Sequence, residues 1–129
     1  MQHYRELEVY KVCKNLSVLV HSHSADWPKS QQFALTSQIQ RASISVVSNL
    51  AEGFGRFSSK DTCHFIAMAR GSCYEVEAQI DLALALGYTS TEQFDEVQAC
   101  IDLTKKLLNG VYKRYDTLAS NNQQLKTNN

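Results

Sequence analysis

The side chains able to do chemistry in this sequence are four histidines, four cysteines, and arginines and carboxylates set into otherwise apolar stretches. A di-iron or di-manganese centre in a helical bundle takes carboxylates from all four helices and an E-x-x-H pair from two of them. The sequence contains no E-x-x-H; Asp61-Thr-Cys-His64 is a single D-x-x-H, read as a helix cap followed by a surface or packed histidine. His21 and His23 are two residues apart, so on a helix they occupy different faces and cannot chelate one ion. Cys13, Cys63, Cys73 and Cys100 fall singly, without zinc-type spacing, and read as reduced core thiols. A nucleophile needs an adjacent base and an orienting group, and no local motif supplies them. Gly53-Phe-Gly55 closes a helical pattern instead of joining a strand to a helix, which argues against a phosphate-cradling loop. The expectation is a protein with no catalytic residue, metal or cofactor, one that works by binding.

A second group of polar residues interrupts apolar stripes: Asn49, Glu52, Arg56, Arg70, Ser72 and Glu75. One reading is a structural polar network of Asn49, Glu52, Arg70, Ser72 and Glu75. In it Glu52 pairs with Arg56 or Arg70, Glu75 pairs with Arg41 or Arg70, and Asn49 satisfies helix-end groups, since a buried charge without a partner costs several kcal/mol. The other reading is that Arg41, Arg56 and Arg70, with Lys60 nearby, face a shared surface or an oligomer's central channel and meet phosphate or a partner's acidic groups. Charge is balanced overall, at thirteen basic against thirteen acidic residues, so no whole-protein field steers toward nucleic acid or an anionic membrane. Locally it is uneven. Lys29 to Lys60 holds Lys29, Arg41, Arg56 and Lys60 against Glu52 alone, and Asp61 to Ser90 holds Asp61, Glu75, Glu77 and Asp81 against Arg70. Such a split fits neighbouring elements that attract each other, or an oligomer that joins unlike surfaces.

The elements that must position these residues are set by the breakers. One proline, Pro28, and glycines at 53, 55, 71, 87 and 110 divide the chain into four segments with helical periodicity. The first runs from about Tyr4 to Ser24 on Leu7, Val9, Val12, Cys13, Leu16, Leu19 and Val20. The second starts near Ser30 and carries Leu35, Ile39, Ala42, Val46 and Leu50 as far as Gly53 and Gly55. Ile44-Ser-Val-Val47 alone resembles a strand, but it continues the helical stripe. The third opens on the capping-box-like Ser58-Ser-Lys-Asp61, carries Phe65, Ile66, Ala69, Cys73, Val76, Ile80 and Ala83, and stops at Gly87. Thr89-Ser-Thr-Glu92 caps the fourth, whose Phe94, Val97, Ile101, Thr104, Leu108, Val111, Tyr115 and Leu118 alternate steps of three and four.

Four amphipathic helices with short connections pack most simply as an all-α, up-down-up-down antiparallel four-helix bundle. That gives one domain over residues 1–119 and a disordered polar tail over 120–129. No apolar run approaches the roughly 20 residues of a membrane span. The N-terminus has no signal-like pattern, so the expected location is cytoplasmic.

The stretch from Leu35 to Arg56, which contains Ser48-Asn-Leu-Ala-Glu-Gly53, resembles the signature of the four-helix bundle proteins encoded within intervening sequences of bacterial 23S rRNA genes. Tyr4-Arg-Glu-Leu-Glu-Val-Tyr-Lys11, Trp27-Pro28, Phe65-Ile-Ala-Met-Ala-Arg-Gly-Ser72 with Glu75, and Leu86-Gly-Tyr88 extend the resemblance over about residues 3 to 115. It implies a ring-like homopentamer. The related accessory proteins of diversity-generating retroelements bind a reverse transcriptase and nucleic acid, which makes RNA, DNA or a nucleic-acid-handling protein the implied partner. The chain departs from the pattern at Gln40, Val47 and Tyr10, where relatives often carry arginine, proline and tryptophan; Val47 predicts a straighter second helix. Two functions follow as expectations: an oligomer associated with nucleic acid through Arg41, Arg56 and Lys60, or a protein-interaction scaffold that binds none.

Overall fold

The computed structural model describes residues 3–127. After a 3-10 turn at Tyr4–Glu6, helix α1 spans Glu8–Ser24, α2 spans Leu35–Phe54, α3 spans Ser59–Ala85 and α4 spans Thr91–Thr127. No strand occurs among the described residues, and Ile44 to Val47 is helical. Helix α2 runs unbroken through Val47. Each helix packs on its neighbours in chain order and α1 closes on α4, with α2 and α3 the most extensively packed pair. Paired cross-links fix the directions: Ser17 meets Ser43 and Ser24 meets Gln40, Cys63 meets Tyr112 and Cys73 meets Ile101, Val12 meets Cys100 and His23 lies beside Glu96, while Gly53 meets Thr62 across the short turn between α2 and α3. Every adjacent pair is therefore antiparallel, the up-down-up-down arrangement.

The core is the set of stripes legible in the sequence. Leu16, Ile39, Val46, Leu50, Ile66, Val76, Ile80, Val97, Ile101 and Leu108 are fully buried, and Cys13 and Cys73 are buried among them. The stripe on α4 fades outward: Val111 and Tyr115 are half-buried and Leu118 is exposed. At about 1.5 Å per residue, α4 is roughly 55 Å long, so its C-terminal turns outrun the other helices.

The helix ends carry specific bonds. Ser58 caps α3 by accepting from the Asp61 N–H. At its other end the Tyr88 N–H bonds Ala83 C=O and the Gly87 N–H bonds Leu84 C=O, a Schellman closure that places Gly87 at φ +77°. The cap of α4 comes from Ser90, within the expected Thr89–Glu92 segment. Ser90 Oγ accepts from the Gln93 N–H while Gln93 Oε1 accepts from the Ser90 N–H, a reciprocal box in which Glu92 has no part.

Two expectations need correction. The second helix begins at Leu35, not near Ser30, because Pro28 leads into a 3-10 turn at Lys29–Gln31 that does not continue as α-helix. Residues 120–127, expected as a disordered tail, continue α4; Asn128 and Asn129 lie outside the described residues. A missing apolar period removes packing, but an existing helix elongates at the cost of one residue's freedom per bond, and no breaker follows Gly110. Helix α2 ends between its two glycines, as expected, with Gly53 inside its last turn and Gly55 as its C-cap. A β-carbon there would stand 3.1 Å from Phe65 Cβ and 3.3 Å from Thr62 O, so the glycine lets two backbones approach. Gly53→Val should therefore lower unfolding stability by about 1–3 kcal/mol through overpacking. Gly71→Ala, in open space mid-helix, should raise it by up to about 1 kcal/mol; urea denaturation of both variants checks the contrast.

Candidate functional site

The suspected polar network does not form as a network. Glu52, Arg70 and Glu75 are exposed, Asn49 is half-buried and Ser72 is buried. Asn49 donates to Ser45 C=O within its own helix at 2.9 Å, serving no helix end. Glu52 pairs with Arg56 at 2.7 Å, an i,i+4 bridge on the surface, and Arg56 also lies 4.3 Å above the Phe65 ring. Arg70 turns to Tyr74, with its guanidinium 5.1 Å from the ring centre. Neither Glu52–Arg70 nor any pairing of Glu75 occurs among the described residues. Water solvates these charges, so no mutual neutralisation is needed. Arg41 and Lys60 are exposed as well.

The polarity that is covered lies elsewhere. Ser17 and Ser43 hydroxyls meet at 3.1 Å between α1 and α2, and Ser43 also donates to Gln40 C=O. Thr62 donates to Gly53 C=O at 2.8 Å and Thr104 to Cys100 C=O at 2.7 Å. Between α3 and α4, Lys105 Nζ donates to both oxygens of Glu77 at 2.7 Å, Gln98 donates to Glu77 Oε2, and the ammonium sits 4.0 Å from the Tyr74 ring centre. Sequence reasoning missed this cluster. Glu77 follows buried Val76 and Lys105 follows buried Thr104, but only the antiparallel register joins positions 28 apart. Hydrogen bonds from Lys105 and then Gln98 hold the Glu77 carboxyl below the ordinary glutamate range, against desolvation. Desolvation works to lower the Lys105 ammonium, but the contact with Glu77 prevails and holds it above its ordinary value.

The histidines do not converge. His21 Nδ1 lies 2.8 Å from Ser17 C=O, His23 Nε2 stands 3.5 Å from Glu96 without hydrogen-bond geometry, and His64 is exposed beside Phe65. No group of three or more metal-ligating side chains gathers among the described residues. All four cysteines are free and buried, and burial pushes the Cys13 and Cys73 thiols up to about 12, so neither is a thiolate near neutrality. No described helix is long and apolar enough to cross a membrane.

What distinguishes the surface is α3. Its outward side, opposite the core stripe, presents Met68, Tyr74, Leu82 and Leu86, all exposed, with the small residues Ala67, Gly71 and Ala78 between them. Lys60, His64 and Glu75 lie on the same side.

This helical frame is matched by a family model described as 23S rRNA-intervening sequence protein, over residues 5–110. The chain belongs to that family. A crystal structure of a protein of unknown function from the S23 ribosomal protein family of Bacteroides thetaiotaomicron is similar in fold, with a TM-score of 0.73 over 81% of this chain and 98% of that one. At 20% identity the likeness concerns architecture alone. No curated protein matches the chain. In this intervening-sequence protein the family match ends at Gly110, so the protruding turns of α4 lie outside it.

The Glu77 contact yields a pH dependence. A carboxyl depressed in the folded state contributes stability above its unfolded pKa of about 4.3 and loses it as pH falls through the lower folded value. Glu77→Gln should cost about 1 kcal/mol at pH 7, and the gap from wild type should close below about pH 4. Urea midpoints across pH 3 to about 7 measure it.

Proposed function

We propose that this intervening-sequence protein acts without catalysis, as a self-assembled bundle that associates with RNA or with a nucleoprotein complex. The observation that carries the first half is the outward stripe of α3. A helix apolar on opposite sides needs cover on both, and one side faces solvent in the single chain. Small residues at 67, 71 and 78 allow close approach of a second helix, and the family resemblance makes a homopentamer the form to expect.

The second half rests on unneutralised charge. Among the described residues no ion pair joins Arg41 of α2, or Lys60 at the start of α3, to the acidic residues Asp61, Glu75, Glu77 and Asp81. Arg41 and Lys60 are exposed and supply the phosphate contacts in this reading; Arg56, held by Glu52, contributes after release from that bridge. The competing reading, a scaffold that binds only proteins, is favoured by zero net charge and by Glu75 on the apolar stripe. Exposed thiol-free surfaces and buried, protonated cysteines suit the reducing cytoplasm in either case.

Light scattering of the wild type should show a defined oligomer, and Met68→Glu with Leu82→Glu should dissociate it with little change in monomer stability, since both side chains are exposed. A wild-type monomer sinks the assembly. RNA affinity should fall steeply with salt, and Arg41→Gln should reduce the slope of log affinity against log salt by about one. No binding at about 50 mM salt leaves the scaffold reading.

A further inference from the structure

Two neighbouring helices each carry a stretch with charges of one sign. Residues 71–85 of α3 hold Glu75, Glu77 and Asp81 and no cation, while residues 103–115 of α4 hold Lys105, Lys106, Lys113 and Arg114 and no carboxylate. Within the chain only Glu77 and Lys105 meet. Glu75, Asp81, Lys106, Lys113 and Arg114 are exposed, and none of them forms an ion pair among the described residues. Helices α3 and α4 pack side by side, so their outward sides diverge from the shared core and cannot meet within one copy.

Each outward side also holds a glycine that the single chain does not account for. Gly71 and Gly110 lie inside their helices, where glycine is less stable than alanine, and a β-carbon at either would meet nothing within 4 Å beyond its own helix backbone. A missing side chain at such a place gives room to another helix. Ala78 lies seven residues after Gly71 and Leu103 seven before Gly110, so each pair shares a side of its helix, and all four are exposed.

Set the two helices antiparallel with Gly71 opposite Gly110, and Glu75 comes opposite Lys106, Ala78 opposite Leu103, and Leu82 opposite Ala99. That register places a carboxylate against an ammonium and two exposed leucines against alanines. Two α3 faces paired with each other have no such match, since residues 71–85 offer no cation to Glu75 or Asp81.

We propose that the outward side of α3 in one copy packs antiparallel on the outward side of α4 in a second copy, with Gly71 against Gly110 and Glu75 paired with Lys106. This rests on the self-assembly proposed above and assigns its second surface to α4. Because the two surfaces differ, the contact is heterologous. A dimer leaves one α3 face and one α4 face free, and copies add until a ring closes.

The test alters one face at a time, at positions with open space in the single chain. Gly71→Leu and Gly110→Leu should each give a monomer by light scattering while keeping the wild type's helix content by circular dichroism, since leucine is the better helix former. Mixed in equal amounts, they should form a 1:1 dimer and nothing larger, because the intact α4 face of the first accepts the intact α3 face of the second. Charge supplies an independent arm. Glu75→Lys and Lys106→Glu should each weaken assembly about tenfold, and both in one chain should restore it, the pair being reversed and not removed.

An oligomer that survives Gly110→Leu, or a mixture that stays monomeric, overturns the α3–α4 contact while leaving self-assembly standing. A double charge variant that assembles no better than the single ones overturns it as well. A wild-type monomer removes both this contact and the assembly on which it rests.

Discussion

Helices α2 and α3 approach each other where Gly53 has no side chain, and the remainder of the architecture is organised about that contact. The Thr62 hydroxyl reaches across to the Gly53 carbonyl, one of the C-terminal acceptors that α2 cannot satisfy within itself. With two backbones this close, the rotation of α3 about its axis is set. Ile66, Ala69, Cys73, Val76, Ile80 and Ala83 face the core, and Met68, Gly71, Ala78 and Leu82 are carried to the far side. The exposed apolar stripe therefore follows from the same register that forms the core, and assembly through it would leave the bundle undisturbed.

Inside the bundle, polarity is handled mainly by hydroxyls. Ser43, Thr62 and Thr104 each donate to a backbone carbonyl, a bond that needs no counter-charge and buries little polar surface. Ionised groups stay at the periphery, with Glu77 and Lys105 the most enclosed pair among the described residues. That pair is tied to Gln98 and Tyr74, so both its charges keep partners when water is partly excluded. Arg41 faces solvent, whereas Arg56 is held by Glu52 and Phe65 and Arg70 by Tyr74.

The start of α2, like that of α1 at Leu7, carries no side-chain cap. Ser58 and Ser90 close α3 and α4 with side-chain acceptors, whereas Ala34 offers none to α2. Pro28 and the 3-10 turn after it hold Trp27 against Tyr88 and bring Lys29 and Phe33 to the open end of α2. An uncapped start beside an unpartnered indole is a cost to the single chain.

Helix number, the core stripes, the Ser58 cap, the Gly87 stop and the family were all legible in the sequence, because each is written in spacings of a few residues that obey the helical period. The partners of the polar residues were not. Glu52 found Arg56, four residues away on the same helix, which local spacing allows; Glu75 found none of the arginines suggested for it, and Glu77 found Lys105, which no local spacing could name. Periodicity fixes which side of a helix is apolar. It leaves open how far one helix slides along another, and that offset decides which side chains meet. The Glu77–Lys105 cluster was decided by packing, because it joins groups whose separation along the chain carries no record of their separation in space.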